Sequence, residues 1–382
     1  MFSGHYNQKS GGPGRQVLIF LLLLFSIAVW AQQGDSERTV MKRSSAVVRE
    51  RLSLAKLDKM KHSANREALS EYTKGIQQFE KQNFTEALNF FNSAVNIDNT
   101  YILAHLNRGI TLFELQRFNQ AVDDFDYVID TLPFSGVFLY RARAIYELGE
   151  IDVAFRDYST AIELDSSNAD AYYYRGGIFF ENEEFDNAIR DFTSAITHKP
   201  DYAKAYNDRG SAYRMMERYN EAIADYDKSA ELNPIQPYVF NNRGSVKRLL
   251  ENYDAAIADY DRAISLKPDY FVALNNRGTA KMKQGNVQGA IADFTLSIAA
   301  QEQYNFAYIN RGNAKSTLKD YKGAIEDYNI AIGIDSEYGY AYVNRGAAKE
   351  ALEDFEGACK DYQAAARLGV EVAEVFAKQV CK

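Results

Sequence analysis

The chain repeats itself at an interval of 34 residues, and this period constrains its fold more than any other feature. A small residue marks the same point nine times, with one interval of 33: Gly75, Gly109, Ala142, Gly176, Gly210, Gly244, Gly278, Gly312 and Gly346. Each copy has an alanine twelve residues later and an aromatic four residues after that, from Ala87 and Phe91 to Ala358 and Tyr362. The alanine and the aromatic lie on one face of a second helix, which is joined to the first by a short polar turn such as LKDYKG. Each unit is therefore predicted to be a helical hairpin.

An aromatic residue precedes the small residue by four positions in six copies: Phe138, Tyr172, Tyr206, Phe240, Tyr308 and Tyr342. A proline closes four copies, at Pro133, Pro200, Pro234 and Pro268. With this spacing the unit resembles the tetratricopeptide repeat, and the resemblance covers roughly four-fifths of the chain. It implies an all-α, right-handed superhelical solenoid of about nine helix-turn-helix units with a C-terminal capping helix.

The first 31 residues have a different character, because residues 17–31 form a 15-residue apolar run behind Lys9 and Arg15. This pattern is typical of a secretory signal peptide cleaved before Gln32, or of an uncleaved membrane anchor. Either alternative predicts repeats outside the cytoplasm, periplasmic, secreted or anchored, as in an exported bacterial-type tetratricopeptide protein. The predicted domains are 1–31 (signal or anchor), 32–67 (charged tether with a possible N-cap helix), 68–372 (nine repeats) and 373–382 (cap helix).

The triplet Asn-Arg-Gly recurs within the first helix of the unit, and its three positions have different interpretations. Glycine is expected to let the two helices cross closely, opposite an alanine of the second helix. The arginine lies 16 residues before an aspartate in every copy except the first, which has Lys74 instead, and this spacing predicts ion pairs within or between repeats. The predicted pairs of the second half combine Arg243, Arg277, Arg311 and Arg345 with Asp259, Asp293, Asp327 and Asp361.

Packing does not require the asparagine of this triplet. In repeats of this resemblance it lines the inner, concave surface, where an amide can donate to and accept from an extended peptide backbone. The resemblance therefore implies peptide contacts, and the alternative is that these are solvated helix positions. The candidate residues are Asn242, Asn276, Asn310, Asn344 and the separate Asn107.

Two further columns of the first helix differ between the halves of the chain. The first half has Phe79, Phe113, Tyr146 and Phe180, each followed by glutamate, whereas Lys247, Lys281, Lys315 and Lys349 lie beside the same columns in the second half. If these columns face the groove, its first half is aromatic and acidic and its second half is polar and basic. The alternative is that the aromatics belong to the core and the charges to a solvated rim.

The two cysteines, Cys359 and Cys381, lie on either side of Gly369. If the chain turns back there as a capping helix, the two thiols come within reach of a disulfide, and two buried free thiols are the alternative. The ending GACKDYQAAARLG also resembles the C-terminal ends of exported bacterial tetratricopeptide proteins.

A formal charge of −8 argues against broad nucleic-acid binding, which needs a basic face. No catalytic constellation, metal-ligand spacing or cofactor motif is recognisable, so we expect no enzyme activity, no metal and no cofactor. The favoured function is a protein-interaction scaffold that binds extended peptide segments in the concave groove. A self-associating spacer and a regulatory subunit of a separate enzyme are the alternatives, and membrane contact is expected only through an uncleaved N-terminal segment.

Overall fold

The computed structural model describes residues 65–381, which form nineteen α-helices and no strands. The predicted signal or anchor and most of the charged tether lie outside the described residues. The described chain forms two compact units that divide after Pro200. Within each unit, consecutive helices pair as antiparallel hairpins and each hairpin packs on the next. This confirms the predicted all-α stack of hairpins.

The first unit contains four hairpins. Its helices are α1 (Arg66–Glu80), α2 (Phe84–Ile97), α3 (Ile102–Glu114), α4 (Phe118–Thr131), α5 (Ser135–Glu147), α6 (Ile151–Leu164), α7 (Ala169–Glu181) and α8 (Phe185–His198). Odd-numbered helices carry the triplet position, and even-numbered helices carry the alanine and the aromatic. Helix α1 begins two residues before the predicted start at 68, because the Asn65 side chain caps it by accepting from the Glu67 N–H at 2.9 Å.

The second unit contains five hairpins and a capping helix. Its helices are α9 (Ala203–Met215), α10 (Tyr219–Leu232), α11 (Pro237–Leu249), α12 (Tyr253–Leu266), α13 (Phe271–Lys283), α14 (Val287–Ala300), α15 (Asn305–Thr317), α16 (Tyr321–Ile334), α17 (Gly339–Ala351), α18 (Phe355–Arg367) and α19 (Glu371–Val380). Helix α19 begins two residues before the predicted 373, because Gly369, with φ +83°, ends α18 and Val370 already leads into the next helix.

The turn inside each hairpin reverses the chain through one residue in the left-handed region. In the turn between α11 and α12, the Asn252 N–H donates to the Lys247 carbonyl at 2.9 Å and the Glu251 N–H to the Arg248 carbonyl at 3.0 Å. This is a Schellman arrangement, which satisfies the last carbonyls of the first helix. Glycine occupies the left-handed position only at Gly149 and Gly285 in these turns, and polar residues occupy it in the other seven.

The glycine of the triplet makes room mainly for an aromatic ring of the second helix, and at Gly210 and Gly244 also for the carbonyl oxygen of the predicted alanine. A Cβ built on Gly312 would lie 2.6 Å from Cε1 of Tyr328, and one on Gly278 would lie 2.6 Å from Cε1 of Phe294. These rings belong to the second helix of the same hairpin and are fully buried. The prediction of close helix packing therefore stands, but its cause is an aromatic side chain that fills the space between the helices.

Candidate peptide-binding surface

Four successive hairpins of the second unit carry an asparagine two residues before the glycine, and we call these residues the asparagine column: Asn242, Asn276, Asn310 and Asn344. All four side chains are half-buried on the first helix of their hairpin. Three of them donate an Nδ2 hydrogen to Oδ1 of a buried asparagine in the preceding hairpin. The donor–acceptor pairs are Asn242–Asn207 (3.2 Å), Asn276–Asn241 (3.0 Å) and Asn310–Asn275 (2.9 Å).

These inter-repeat bonds occupy only part of the hydrogen-bonding capacity of the column. A primary amide has two N–H donors and an oxygen with two lone pairs. After the bond to the preceding hairpin, Asn276 and Asn310 each retain one N–H and their own Oδ1. The Oδ1 of Asn242 also accepts a 3.4 Å hydrogen bond from Nδ2 of Asn241. The column therefore presents amides whose orientation is already fixed and which can still donate and accept.

Asn344 and Asn107 differ from the other three candidates. The residue that would accept from Asn344 in the preceding hairpin is Ile309, and within residues 65–381 the Asn344 side chain makes no hydrogen bond. Asn107, in the first unit, donates to the Tyr72 hydroxyl at 3.2 Å and to the Leu103 carbonyl at 2.9 Å. Asn107 is thus separate from the column, as the sequence indicated, and both of its amide hydrogens are engaged within the first unit.

An apolar side chain lies one helical turn before each asparagine of the column. Residues at i and i+4 share a helix face, so each of these side chains lies beside its asparagine: Tyr238, Val272, Phe306 and Tyr340. The Phe306 ring packs between Tyr304 (5.6 Å between centroids) and Tyr338 (5.5 Å), and Tyr340 is 51% exposed. Sequence reasoning missed these residues, although the spacing of four from the asparagine was available as a signal.

Arginine and aspartate form a bidentate pair in each hairpin of the second unit. Arginine Nε lies 2.8–3.0 Å from Oδ2 and Nη2 lies 2.5–2.7 Å from Oδ1 in five pairs: Arg209–Asp225, Arg243–Asp259, Arg277–Asp293, Arg311–Asp327 and Arg345–Asp361. The remaining Nη1 donates to the preceding hairpin, for example from Arg243 to Asp227 at 2.6 Å. The pairs therefore lie within a hairpin, and the same guanidinium also joins it to its neighbour.

A lysine four residues after the arginine binds the same carboxylate. Lys315 Nζ lies 2.9 Å from Asp327 Oδ2, and Lys247, Lys281 and Lys349 make the equivalent contact at 2.8 Å. The lysine side chains are only 21–22% exposed. Each lysine is therefore engaged in an ion pair within its own hairpin, and the interpretation of the second half of the groove as polar and basic stays a prediction. The aspartates are almost completely buried. Each of these carboxylates is compensated by two cations, the arginine and the lysine of the same hairpin.

In the first unit, the aromatic residues four positions after the small residue pack largely against side chains of their own hairpins. Phe113 packs edge-to-face on Phe118 with 5.4 Å between ring centroids, and Phe180 packs on Phe185 at 5.5 Å. Tyr146 differs, because its hydroxyl donates to Oε1 of Glu181 in the next hairpin at 2.5 Å. The aromatic residues predicted to line the first half of the groove therefore belong largely to the core. The glutamates that follow them are exposed or half-buried at the surface of the first unit.

Cys359 and Cys381 are joined by a disulfide, with 5.1 Å between their Cα atoms. The bond links α18 to the end of α19, whose Phe376 ring lies 5.3 Å from the Tyr362 ring between centroids. Within residues 65–381, no group of three or more His, Cys, Asp and Glu side chains is arranged to hold a metal ion. None of the nineteen described helices has the length and apolar character that a membrane span needs.

Family profiles match the chain in four places. The profile described as tetratricopeptide repeat matches residues 203–235 and 307–338, and the profile described as TPR repeat matches residues 142–183 and 244–285. The matches at 203–235 and 307–338 each cover one hairpin, whereas those at 142–183 and 244–285 begin within the first helix of a hairpin and end after the first helix of the next. A search of curated proteins gives no match.

Three of the solved structures that are similar in fold to this chain have the following identities, shares of this chain and of that chain that are covered, and TM-scores. The Cut9–Hcn1 hetero-tetramer of the APC/C is 14% identical (82% of this chain, 76% of that chain, TM-score 0.55). A tetratricopeptide repeat protein from Parabacteroides merdae is 18% identical (66% and 97%, TM-score 0.50), and PilW, a type IV pilus biogenesis factor, is 18% identical (56% and 98%, TM-score 0.51). At these identities the likeness concerns the fold alone. The profile matches show that this chain carries tetratricopeptide repeats, at residues 142–183, 203–235, 244–285 and 307–338.

Proposed function

We propose that this protein is an exported scaffold that binds an extended segment of a partner protein along the asparagine column of its second unit. Stacked tetratricopeptide hairpins form extended surfaces for protein–protein interaction. The proposal adds the location, the mode of binding and the compartment. Backbone hydrogen bonds to the column would provide affinity, and the half-buried Phe306 and the exposed Tyr340, one turn before Asn310 and Asn344, would contact side chains of the segment.

The orientation of the amides is the observation that carries this proposal. Asn276 and Asn310 are each fixed by a hydrogen bond to a buried asparagine of the preceding hairpin, at 3.0 and 2.9 Å. A ligand does not need to order these side chains, so less conformational entropy is lost on binding. Each amide still has a free N–H and an oxygen, which match the C=O and N–H of an extended backbone.

Affinity measurements with column variants test the proposal. The partner is first captured from the exported fraction with the full chain, and its segments are then synthesised as labelled peptides. Replacing Asn310 and Asn344 with alanine should weaken the best peptide by about 1–3 kcal/mol, a factor of roughly 5 to 150 in Kd. Asn344→Ala is informative by itself, because this side chain makes no hydrogen bond within the described part of the chain.

The matched control is Asn220→Ala, which removes an exposed asparagine on the second helix of its hairpin. It should leave the Kd unchanged. Unfolding curves of each variant separate a lost contact from a lost fold, since Asn310→Ala also leaves Asn275 without its donor. Unchanged affinity for Asn344→Ala and for the double variant, with folding intact, would contradict binding along this column.

Export is supported by two independent features. The apolar run at residues 17–31 has the length of a signal-peptide core, and the Cys359–Cys381 disulfide suits an oxidising compartment. N-terminal sequencing of the mature protein checks this directly. A start at Gln32 is the expected result, an intact N-terminus in the membrane fraction would indicate the anchored alternative, and a reduced cytoplasmic protein would contradict export.

A further inference from the structure

Charge is distributed very unevenly along this chain. Residues 65–200, the repeats of the first unit, contain 11 Lys and Arg against 22 Asp and Glu. Residues 201–382 contain 23 Lys and Arg against 26 Asp and Glu. Residues 38–61, which precede the repeats and lie outside the described residues, contain 8 Lys and Arg against 2 Asp and Glu. The strongly basic segment is thus followed directly by the strongly acidic unit.

Seven of the 22 acidic residues of the first unit lie at the ends of its first helices and in the turns that follow. We define the acidic edge as Glu114, Glu147, Glu150, Glu181, Glu183 and Glu184. Glu147, Glu150, Glu183 and Glu184 are exposed, and burial raises the pKa of the half-buried Glu181. In the second unit the positions of Glu114, Glu147 and Glu181 are taken by Met215, Leu249, Lys283, Thr317 and Ala351.

One cationic side chain of the first unit, Arg143, lies one helical turn before Glu147 of the acidic edge and packs on aromatic rings. The Arg143 guanidinium on α5 lies over the Phe113 ring of the preceding hairpin, 4.7 Å from its centroid. It also lies over the Tyr174 ring of the following hairpin, at 5.1 Å. Aromatic faces attract guanidinium and ammonium groups, and neighbouring carboxylates add to this attraction. The chemistry of this surface therefore suits further arginine and lysine side chains.

The basic segment has a composition that complements this surface. Between Arg49 and Lys61 it reads RERLSLAKLDKMK, in which basic residues alternate with leucine and methionine. Apolar side chains and the methylene stems of lysine and arginine can pack on aromatic rings while the charged ends reach carboxylates. Opposite charge and shared apolar character both favour contact.

The length and the attachment point of the segment allow it to reach the acidic edge. The described chain begins at Asn65, four residues after Lys61, and the backbone N–H of Asn65 donates to Oδ2 of Asp98 at 3.1 Å. Helix α1 has 15 residues and is therefore about 22 Å long, so about seven extended residues are needed to pass along it. The roughly 20 remaining residues could extend about 65 Å, more than the breadth of four helices packed about 10 Å apart.

We propose that residues 38–61 dock in cis on the acidic edge of the first unit. The covalent connection makes the contact intramolecular, which raises the effective concentration of the segment to the millimolar range. The inference is independent of peptide binding by the asparagine column of the second unit.

Zero-length carbodiimide cross-linking of the full chain in zwitterionic detergent tests the docking. The reagent joins lysine amines to carboxylates in contact, and mass spectrometry identifies the pairs. At low ionic strength Lys56 is expected to be linked to Glu147 and Glu181 of the same molecule. The variant Glu150→Lys/Glu183→Lys, which changes two exposed residues, should lower the yield of these links at least about fivefold. The control Asp269→Lys/Glu326→Lys makes the same charge change at exposed sites of the second unit and should not lower it.

Three outcomes would overturn the proposal. The first is a link yield that the Glu150→Lys/Glu183→Lys variant does not change. The second is that mixed isotope-labelled and unlabelled chains show the links between molecules, which would place the segment on a second copy. The third is equal binding of the wild type and the variant to vesicles of anionic phosphatidylglycerol. Cis docking predicts tighter vesicle binding by the variant, because its basic segment is released from the acidic edge. Equal binding would instead show that the segment binds the membrane surface.

Discussion

Asp327 shows how a single residue connects the local pattern to the stability of the hairpin stack. Its side chain is 2% exposed, accepts hydrogen bonds from Arg311 at 2.7 and 3.0 Å, and lies 2.9 Å from Nζ of Lys315. A buried carboxylate requires such compensation, since removing charge from water without a partner is strongly unfavourable. Arg311 also donates to Thr295 of the preceding hairpin at 3.2 Å. The Arg311 side chain on α15 therefore contacts both α16, through Asp327, and α14, through Thr295.

The triplet glycine is the second determinant at the residue scale, and its contacts predict a graded series. A Cβ at residue 312 would lie 2.6 Å from the buried Tyr328 ring, whereas a Cβ at residue 210 would lie 3.1 Å from the Tyr226 ring. Gly312→Ala is therefore expected to destabilise the protein by about 1–3 kcal/mol and Gly210→Ala by less. Urea unfolding measures both.

Gly333→Ala is the matched control for this series. Residue 333 lies inside α16, and a Cβ there would have no neighbouring atom within 4 Å. The change should therefore stabilise the protein by about 0.5–1 kcal/mol through helix propensity alone. Equal effects of Gly312→Ala and Gly333→Ala would show that the ring does not restrict residue 312. The alanine that occurs naturally at position 142 shows that one hairpin accommodates a methyl group there.

At the scale of elements, the turn and the cap decide where each helix ends. Helices α17 and α18 are joined through Glu353 in the left-handed region, at φ 64°, and α18 ends at Gly369, at φ +83°. Helix α19 then packs back on α18 through Ala373, which is fully buried, while Val375 on its outer side is 51% exposed. A ten-residue helix with so small an apolar contact has little stability of its own, so the disulfide has an evident role.

Breaking the disulfide should release α19 and leave the rest of the unit folded. The bond closes a loop with a sequence separation of 22 residues, for which chain entropy predicts about 3 kcal/mol. In Cys381→Ser, amide hydrogen exchange in α19 should accelerate by up to roughly 100-fold. Exchange in α12 is the internal control, since hairpins in a repeat array contact only their neighbours. Unchanged exchange in α19 would show that packing alone holds it.

At the scale of the whole molecule, the chain buries one aromatic ring beneath each triplet position, and five of the nine rings are tyrosines. Burial raises the pKa of Tyr328 to about 12. Burial likewise raises the pKa of Tyr158, Tyr226, Tyr260 and Tyr362. Unfolded tyrosine titrates near pH 10, so the unfolded state loses protons first as the pH rises.

The resulting pH dependence has a definite sign. The stability contributed by these protonated hydroxyls is fully present below about pH 10 and is lost between about pH 10 and 12, because ionisation then favours the unfolded state. At pH 11 a tyrosine with a folded pKa of about 12 lowers the free energy of unfolding by about 1.4 kcal/mol. Urea midpoints at pH 8 and 11 measure the loss.

Tyr328→Phe serves as the control for this titration. It removes the hydroxyl that donates to Asn313 at 2.7 Å, so it should be less stable at pH 8. It should nevertheless lose less stability than the wild type between pH 8 and 11. Parallel losses in the two proteins would show that the Tyr328 hydroxyl does not cause the alkaline destabilisation.

The hairpin, its period and most of its internal contacts could be predicted from the amino-acid order. Residues within one hairpin are close in sequence, so the helical period and a turn of fixed length predict that Arg311 and Asp327 face each other. Lys315 could have been included by the same reasoning, because it follows Arg311 by one helical turn and reaches the same carboxylate. The cysteines were likewise placed within reach of each other by the turn at Gly369.

The contacts between hairpins and the filling of the core could be learned only from the folded chain. The bond from Asn310 to Asn275 spans 35 residues and depends on the offset between neighbouring hairpins, which a 34-residue period does not specify. The same holds for Tyr146 and Glu181, also 35 residues apart. Whether Gly312 faces Ala324 or Tyr328 likewise depends on how far the helices rotate and approach, because both side chains lie on the same face. Periodicity predicts which residues share a helix face, and packing between helices decides which of them meet.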